Sequence, residues 1–161
     1  MMIRKKFKFE AAHRLLNSFS KRCRGIHGHS YIVELVVNGD VNPRNGMIVD
    51  FGLLKMTIGK FIDKFDHALI LYSLDPILRA PFTRDTITTA FNPRLIVVPY
   101  EPTAEMMAAH FYWQCKTKSG LESVRAVRIH ETDTGWAECD EIIAEDFSET
   151  WYSLACEVGD K

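Results

Sequence analysis

Two histidines two residues apart, His27 and His29, stand in the run Cys23-Arg24-Gly25-Ile26-His27-Gly28-His29. On an extended chain both imidazoles leave the same face. A third, His13, ends a stretch in which Phe7, Phe9 and Ala11 share its parity while Lys6, Lys8 and Glu10 take the other. That alternation is the mark of a half-buried strand. If the two strands pair antiparallel through the intervening loop, His13 comes beside His27 and His29. Three neutral imidazoles leave one position on a zinc ion open for water or a substrate oxygen, the arrangement of a catalytic site rather than a structural one. The plainer alternative is three ordinary histidines, two of them near a turn. Cys23 either closes the set as a fourth ligand or stands beside it as a free thiol. Lys21, Arg22 and Arg24 would favour its thiolate, although the same cluster also reads as a solvated loop. Spacing alone leaves the choice open.

The carboxylates offer a second kind of chemistry. Asp66 and His67 are adjacent at the end of an expected helix. A carboxylate beside an imidazole fixes its tautomer and raises its basicity, which suits proton transfer. Neighbours on a helix do not face each other, so the two meet only if the helix has already ended. Glu131 closes a strand whose one face is Arg125, Val127 and Ile129, and a ligand with two N–H donors would match it; a surface glutamate near a turn is the commoner case. Glu105 reads first as a helix-start carboxylate favoured by the macrodipole. His110 and His130 receive no role.

The elements that must position these groups follow from periodicity. Ile3 to His13 and the stretch through Tyr31, Val33, Leu35 and Val37 read as strands, the second ending at the turn residues Asn38-Gly39-Asp40. Asp50 is a plausible N-cap for a helix carrying Leu54, Ile58, Phe61, Ile62 and Phe65. A second helix starts at Pro102 or Thr103 and lays Ala104, Met107, Ala108, Phe111 and Cys115 along one stripe. Residues 123–131 and 136–144 read as two strands joined across Thr132-Asp133-Thr134-Gly135, and the proline-containing stretch 78–99 as irregular. The order ββααββ indicates an α+β fold with an antiparallel sheet.

A chain of 161 residues fits a single domain, 1–161. Lys+Arg 20 against Asp+Glu 21 gives a net charge of -1, which argues against a dedicated nucleic-acid binder. No apolar run approaches the ~20 residues of a membrane span. The first nine residues lack the apolar segment of a secretory signal, and the four cysteines are widely spaced, as free thiols are. The expected location is cytoplasmic.

Together the motifs carry a resemblance. Phe9-Glu10-Ala11-Ala12-His13, Cys23 with His27-Gly28-His29, Ile48-Val49-Asp50-Phe51, Asp66-His67, Pro102-Thr103-Ala104-Glu105 and Glu131-Thr132 occur in one order. That succession, from about residue 7 to 144, resembles the 6-pyruvoyl-tetrahydropterin synthase family, which includes the bacterial 6-carboxy-tetrahydropterin synthases of queuosine biosynthesis. The Cys-x-x-x-His-Gly-His spacing is closer to the 6-carboxy type.

The resemblance implies the tunnelling fold: a four-stranded antiparallel sheet with two helices on one face, assembled as a homohexamer with active sites at protomer interfaces. It implies Zn2+ held by His13, His27 and His29, a catalytic thiol at Cys23, and proton transfer by Asp66 and His67. Glu131 would anchor the pterin, with Thr103 and Glu105 near that pocket. The implied substrate is 7,8-dihydroneopterin triphosphate, and the implied products are 6-carboxy-5,6,7,8-tetrahydropterin, acetaldehyde and triphosphate. A 6-pyruvoyl-tetrahydropterin synthase or related dihydroneopterin lyase is the alternative, and a zinc-stabilised pterin-binding module without turnover is the non-enzymatic one. The stretch 78–99 is expected as an insertion and 145–161 as an extension past the family core.

Overall fold

Alternation in the first strand forces β1 (Met2–His13) to bury one side and leave the other to Arg4, Lys6 and Lys8. It pairs antiparallel with β2 (His27–Asn38), and the register sets Phe9 opposite Tyr31, Ala11 opposite His29 and His13 opposite His27. The computed structural model describes residues 1–79 and 94–140. Within them, β5 (Val124–His130) pairs antiparallel with β2, and β6 (Trp136–Asp140) with β5. The four strands expected from the sequence therefore form a continuous antiparallel ribbon. Residues 141–144 of the last expected strand lie outside the described residues.

The sheet is larger than expected. β3 (Ala68–Tyr72) runs parallel to the end of β1, and β4 (Arg94–Val98) runs parallel to β3, giving a six-stranded mixed sheet in the order β4-β3-β1-β2-β5-β6. The four-stranded expectation missed both added strands for one reason. Ala68-Leu69-Ile70-Leu71-Tyr72 and Arg94-Leu95-Ile96-Val97-Val98 are nearly continuous apolar runs. Parallel strands covered on both faces look like that and show no period-2 signal.

Both helices cover one face of the ribbon. The first runs through Phe51–Leu54, a π-helical turn at Lys55–Gly59 and Lys60–Ile62, with the Asp50 carboxylate accepting from the Gly52 amide at its start. It stops short of Phe65, which packs from the following turn. The second runs through Ala104–Trp113 into a π turn at Gln114–Lys118. Leu54, Ile58 and Ile62 from one helix and Met107, Ala108 and Phe111 from the other join Phe9, Tyr31, Val33 and Leu35 in a single core. No helix among the described residues is long and apolar enough to cross a membrane.

On the helix-free face Glu34 is almost fully buried, and Arg4, Lys6 and Arg128 approach its carboxylate at 3.4, 3.3 and 3.0 Å. A buried carboxylate is tolerated only with such compensation.

Candidate active site

The strand register brings the three histidines together. His13, His27 and His29 each offer a nitrogen, and these atoms all lie within 4.8 Å of one another. Each imidazole has two ring nitrogens, so the use made of the outer one decides what the inner one can do. His13 Nδ1 lies 2.8 Å from the Pro102 carbonyl oxygen, and His27 Nδ1 lies 2.9 Å from that of Gly25. A carbonyl only accepts, so both Nδ1 atoms carry the proton and both Nε2 atoms present a lone pair. Those Nε2 atoms face each other at 3.2 Å. Two lone pairs at that distance repel unless a cation lies between them.

Burial sharpens the point. His13 is fully buried, and desolvation pushes its pKa down to about 4, from an ordinary 6.5. Desolvation also lowers His29, partly opposed by the Glu131 carboxylate. A proton is thus a poor occupant and a metal ion a good one: the donor set fits a divalent metal that prefers nitrogen ligands. Among the described residues Cys23 is not part of this ligand group, so the arrangement is the three-histidine one. Cys23 is half-buried on the loop between β1 and β2, where its carbonyl accepts from the Leu15 amide at 2.8 Å.

Glu131, just past β5, points its Oε1 to within 3.4 Å of His13 Nε2 and 3.8 Å of His29 Nε2. It is therefore at the site and not a bystander on the surface turn. Thr103 is the N-cap of the second helix, its hydroxyl accepting from the Met106 amide at 3.3 Å. It follows Pro102, whose carbonyl orients His13. Glu105 is exposed in the first turn of that helix.

Asp66 and His67 do meet, because the first helix ends at Ile62 and a run of turns carries the chain into β3. His67 adopts a left-handed backbone conformation, φ 56, with its amide donating to the Glu10 carbonyl at 2.6 Å. This bend lets its Nδ1 reach the Asp66 carboxylate at 2.9 Å. The other carboxylate oxygen accepts from the Glu10 amide at 2.9 Å. That backbone hydrogen bond, followed by the one from His67, lowers the Asp66 pKa. An ionised Asp66 holds the His67 proton on Nδ1 and turns Nε2 outward to exchange protons.

His67 and His29 line one cavity of about 570 Å³, whose wall includes Glu10, Ala12, Gly28 and Ser30. Gly28 eases the close strand approach there: a Cβ would sit 3.3 Å from the Ala11 carbonyl oxygen, a tight contact that the strands would have to yield slightly to admit. Sequence reasoning missed the outer partners, Pro102 and Gly25, because backbone carbonyls leave no trace in residue type. It also missed Glu101, whose carboxylate binds the loop after β1.

Comparisons with known proteins agree with this fold. A 6-carboxy-5,6,7,8-tetrahydropterin synthase of Haemophilus influenzae is 32% identical over 143 residues, covering 86% of this chain and 98% of that protein. One of Aquifex aeolicus is 31% identical over 159 residues, covering 86% and 97%. Among solved structures, an uncharacterized protein from Wolinella succinogenes superposes with a TM-score of 0.73 at 23% identity, covering 88% of this chain and 98% of that one. The Caenorhabditis elegans 6-pyruvoyl tetrahydropterin synthase gives 0.63 at 23%, covering 87% and 94%. At such identities these two speak for the fold alone. A sequence model of the 6-pyruvoyl tetrahydropterin synthase family matches residues 2–142, a span that contains every histidine and carboxylate of the site. With that match over most of its length, the chain belongs to the 6-pyruvoyl tetrahydropterin synthase family.

Proposed function

We propose that this protein is a zinc-dependent 6-carboxy-5,6,7,8-tetrahydropterin synthase. It takes 7,8-dihydroneopterin triphosphate and water to 6-carboxy-5,6,7,8-tetrahydropterin, acetaldehyde and triphosphate, in 7-deazaguanine and queuosine biosynthesis. The observation that carries the reading is the pair of Nε2 lone pairs on His13 and His27, set face to face by the Pro102 and Gly25 carbonyls. The relatives from Haemophilus influenzae and Aquifex aeolicus, which bear the synthase name, support the substrate class.

Zinc on His13, His27 and His29 would supply Lewis-acid polarisation of the substrate's side-chain oxygens. The protein's own groups do the rest. Cys23 as thiolate takes a proton from the carbon next to the pterin ring. His67, held by Asp66, carries a second proton through its outward Nε2. Glu131 accepts from the N–H edge of the pterin, with Thr103 and Glu105 near the same pocket. Oxidation of the side chain and reduction of the ring balance within one molecule, so no redox cofactor enters. The assembly is a homohexamer with Cys23 and His67 of one site drawn from different protomers.

A 6-pyruvoyl-tetrahydropterin synthase, or a related dihydroneopterin lyase, is the second reading, supported by the description of the family model that matches residues 2–142. Acetaldehyde separates the two: its release, one per substrate consumed, supports the 6-carboxy product, and its absence with triphosphate still released supports the 6-pyruvoyl one. A zinc-stabilised binding module would hold pterin and release neither.

A further inference from the structure

The tripeptide Glu101-Pro102-Thr103 does more than start a helix. Its proline carbonyl orients His13 and its threonine caps the helix. The Glu101 side chain turns the other way, onto the loop that carries Cys23. One carboxylate oxygen accepts from the Leu16 amide at 3.0 Å; the other accepts from the Asn17 amide at 3.2 Å and the Asn17 side-chain amide at 2.7 Å. Two consecutive backbone N–H groups around one carboxylate form an anion-binding nest, and each bond is charge-assisted. One residue earlier, the Leu15 amide donates to the Cys23 carbonyl at 2.8 Å, closing the loop on itself. At its far end the Gly25 carbonyl takes the His27 Nδ1 proton.

We infer that Glu101 is a positioning residue that clamps the Cys23 loop to the same segment that orients the ligand His13. The thiol and the metal-binding imidazole are thereby referred to one short, proline-stiffened stretch of backbone, whose Thr103 amide also donates to the Glu101 carbonyl at 2.7 Å. Without the carboxylate, Leu16 and Asn17 lose their acceptor while Lys21, Arg22 and Arg24, all exposed, offer no replacement anchor. The catalytic half of this inference rests on the proposed role of Cys23; the clamp itself does not.

The test uses the full-length, metal-loaded protein with Glu101→Gln and Glu101→Ala. Glutamine keeps the shape and one acceptor oxygen but turns an N–H toward N–H donors, so it tests the charge if alanine fails to fold. Asp50→Ala, which uncaps the other helix, serves as a control for general destabilisation. Amide exchange at Leu16 and Asn17, followed by NMR, is expected to quicken at least about tenfold in Glu101→Gln and not in Asp50→Ala. Metal content stays at the wild-type level, and kcat falls about tenfold with KM within about twofold, the split expected when a reacting group is misplaced and binding is kept. Unchanged amide exchange would overturn the clamp. Faster exchange with unchanged kcat would overturn its role in positioning. Full turnover by Cys23→Ala would overturn the catalytic reading of the thiol instead, and leave the exchange result standing.

Discussion

His13 meets three demands at once. It ends β1 between His27 on one neighbour strand and Ile70 on the other, it is fully buried, and its Nδ1 proton is spent on Pro102. What remains is a lone pair with a second lone pair 3.2 Å away, so the site is destabilising when empty and stabilising when filled. Chelating the metal should therefore lower the melting temperature, by the several kcal/mol that saturation about a thousandfold above Kd supplies. His13→Ala should melt at the same temperature with and without chelator, read by calorimetry. Asp66 carries a different load, holding the Glu10 amide with one oxygen and His67 with the other. Asp66→Asn should keep its metal and lose about tenfold to a hundredfold in kcat, since an amide cannot hold the imidazole in the required tautomer through its donor end. At this scale the sequence was legible where chemistry depends on side-chain type and parity: the histidine trio, the Asp66–His67 pair and Glu131 were all visible. It was silent on the carbonyls that fix the tautomers, on Glu101, and on whether Cys23 was a ligand, because each depends on where backbone runs.

Among the elements, the turn between the first helix and β3 is decisive. The helix stops at Ile62, His67 takes φ 56, and β3 slots in beside the last three residues of β1. The amphipathic stripe announced the helix, but its continuation to Phe65 misled, since the phenylalanine reaches the same core from the turn. The two parallel strands were hidden by their uniform apolarity. His110 on the second helix pairs with Tyr100 from the bend that precedes it, both buried, with the imidazole ringed by Phe61, Phe65 and Phe111. Burial pushes the His110 pKa down to about 3 from 6.5. The unfolded chain binds this proton below pH 6.5 whereas the folded chain resists it until about pH 3, so the stability present above 6.5 is lost progressively as pH falls through that window. His110→Gln should flatten the acid limb of stability against pH between those values, measured by urea unfolding of the metal-free protein.

For the whole molecule, the helix-free face of the sheet is where the proposed assembly bears on the structure. Glu34 is nearly buried beneath Arg4, Lys6 and Arg128, while Trp136 at the outer strand stays half exposed with Arg128 over its ring at 5.1 Å. A charged, strongly patterned sheet face of this kind suits the wall of a closed ring of copies. Light scattering on the purified protein should give about six times 18.5 kDa; a monomer at micromolar concentration would contradict the interface placement of Cys23 and His67. The reaction itself is the most direct test. Metal-loaded wild type and Cys23→Ala are each given 7,8-dihydroneopterin triphosphate, with zinc content checked and products resolved by mass spectrometry. The wild type should give 6-carboxy-5,6,7,8-tetrahydropterin, acetaldehyde and triphosphate, and the zinc-retaining variant a rate lower by about 10² to 10⁴. Unchanged substrate with zinc in place, or equal turnover by both proteins, would contradict the proposed chemistry.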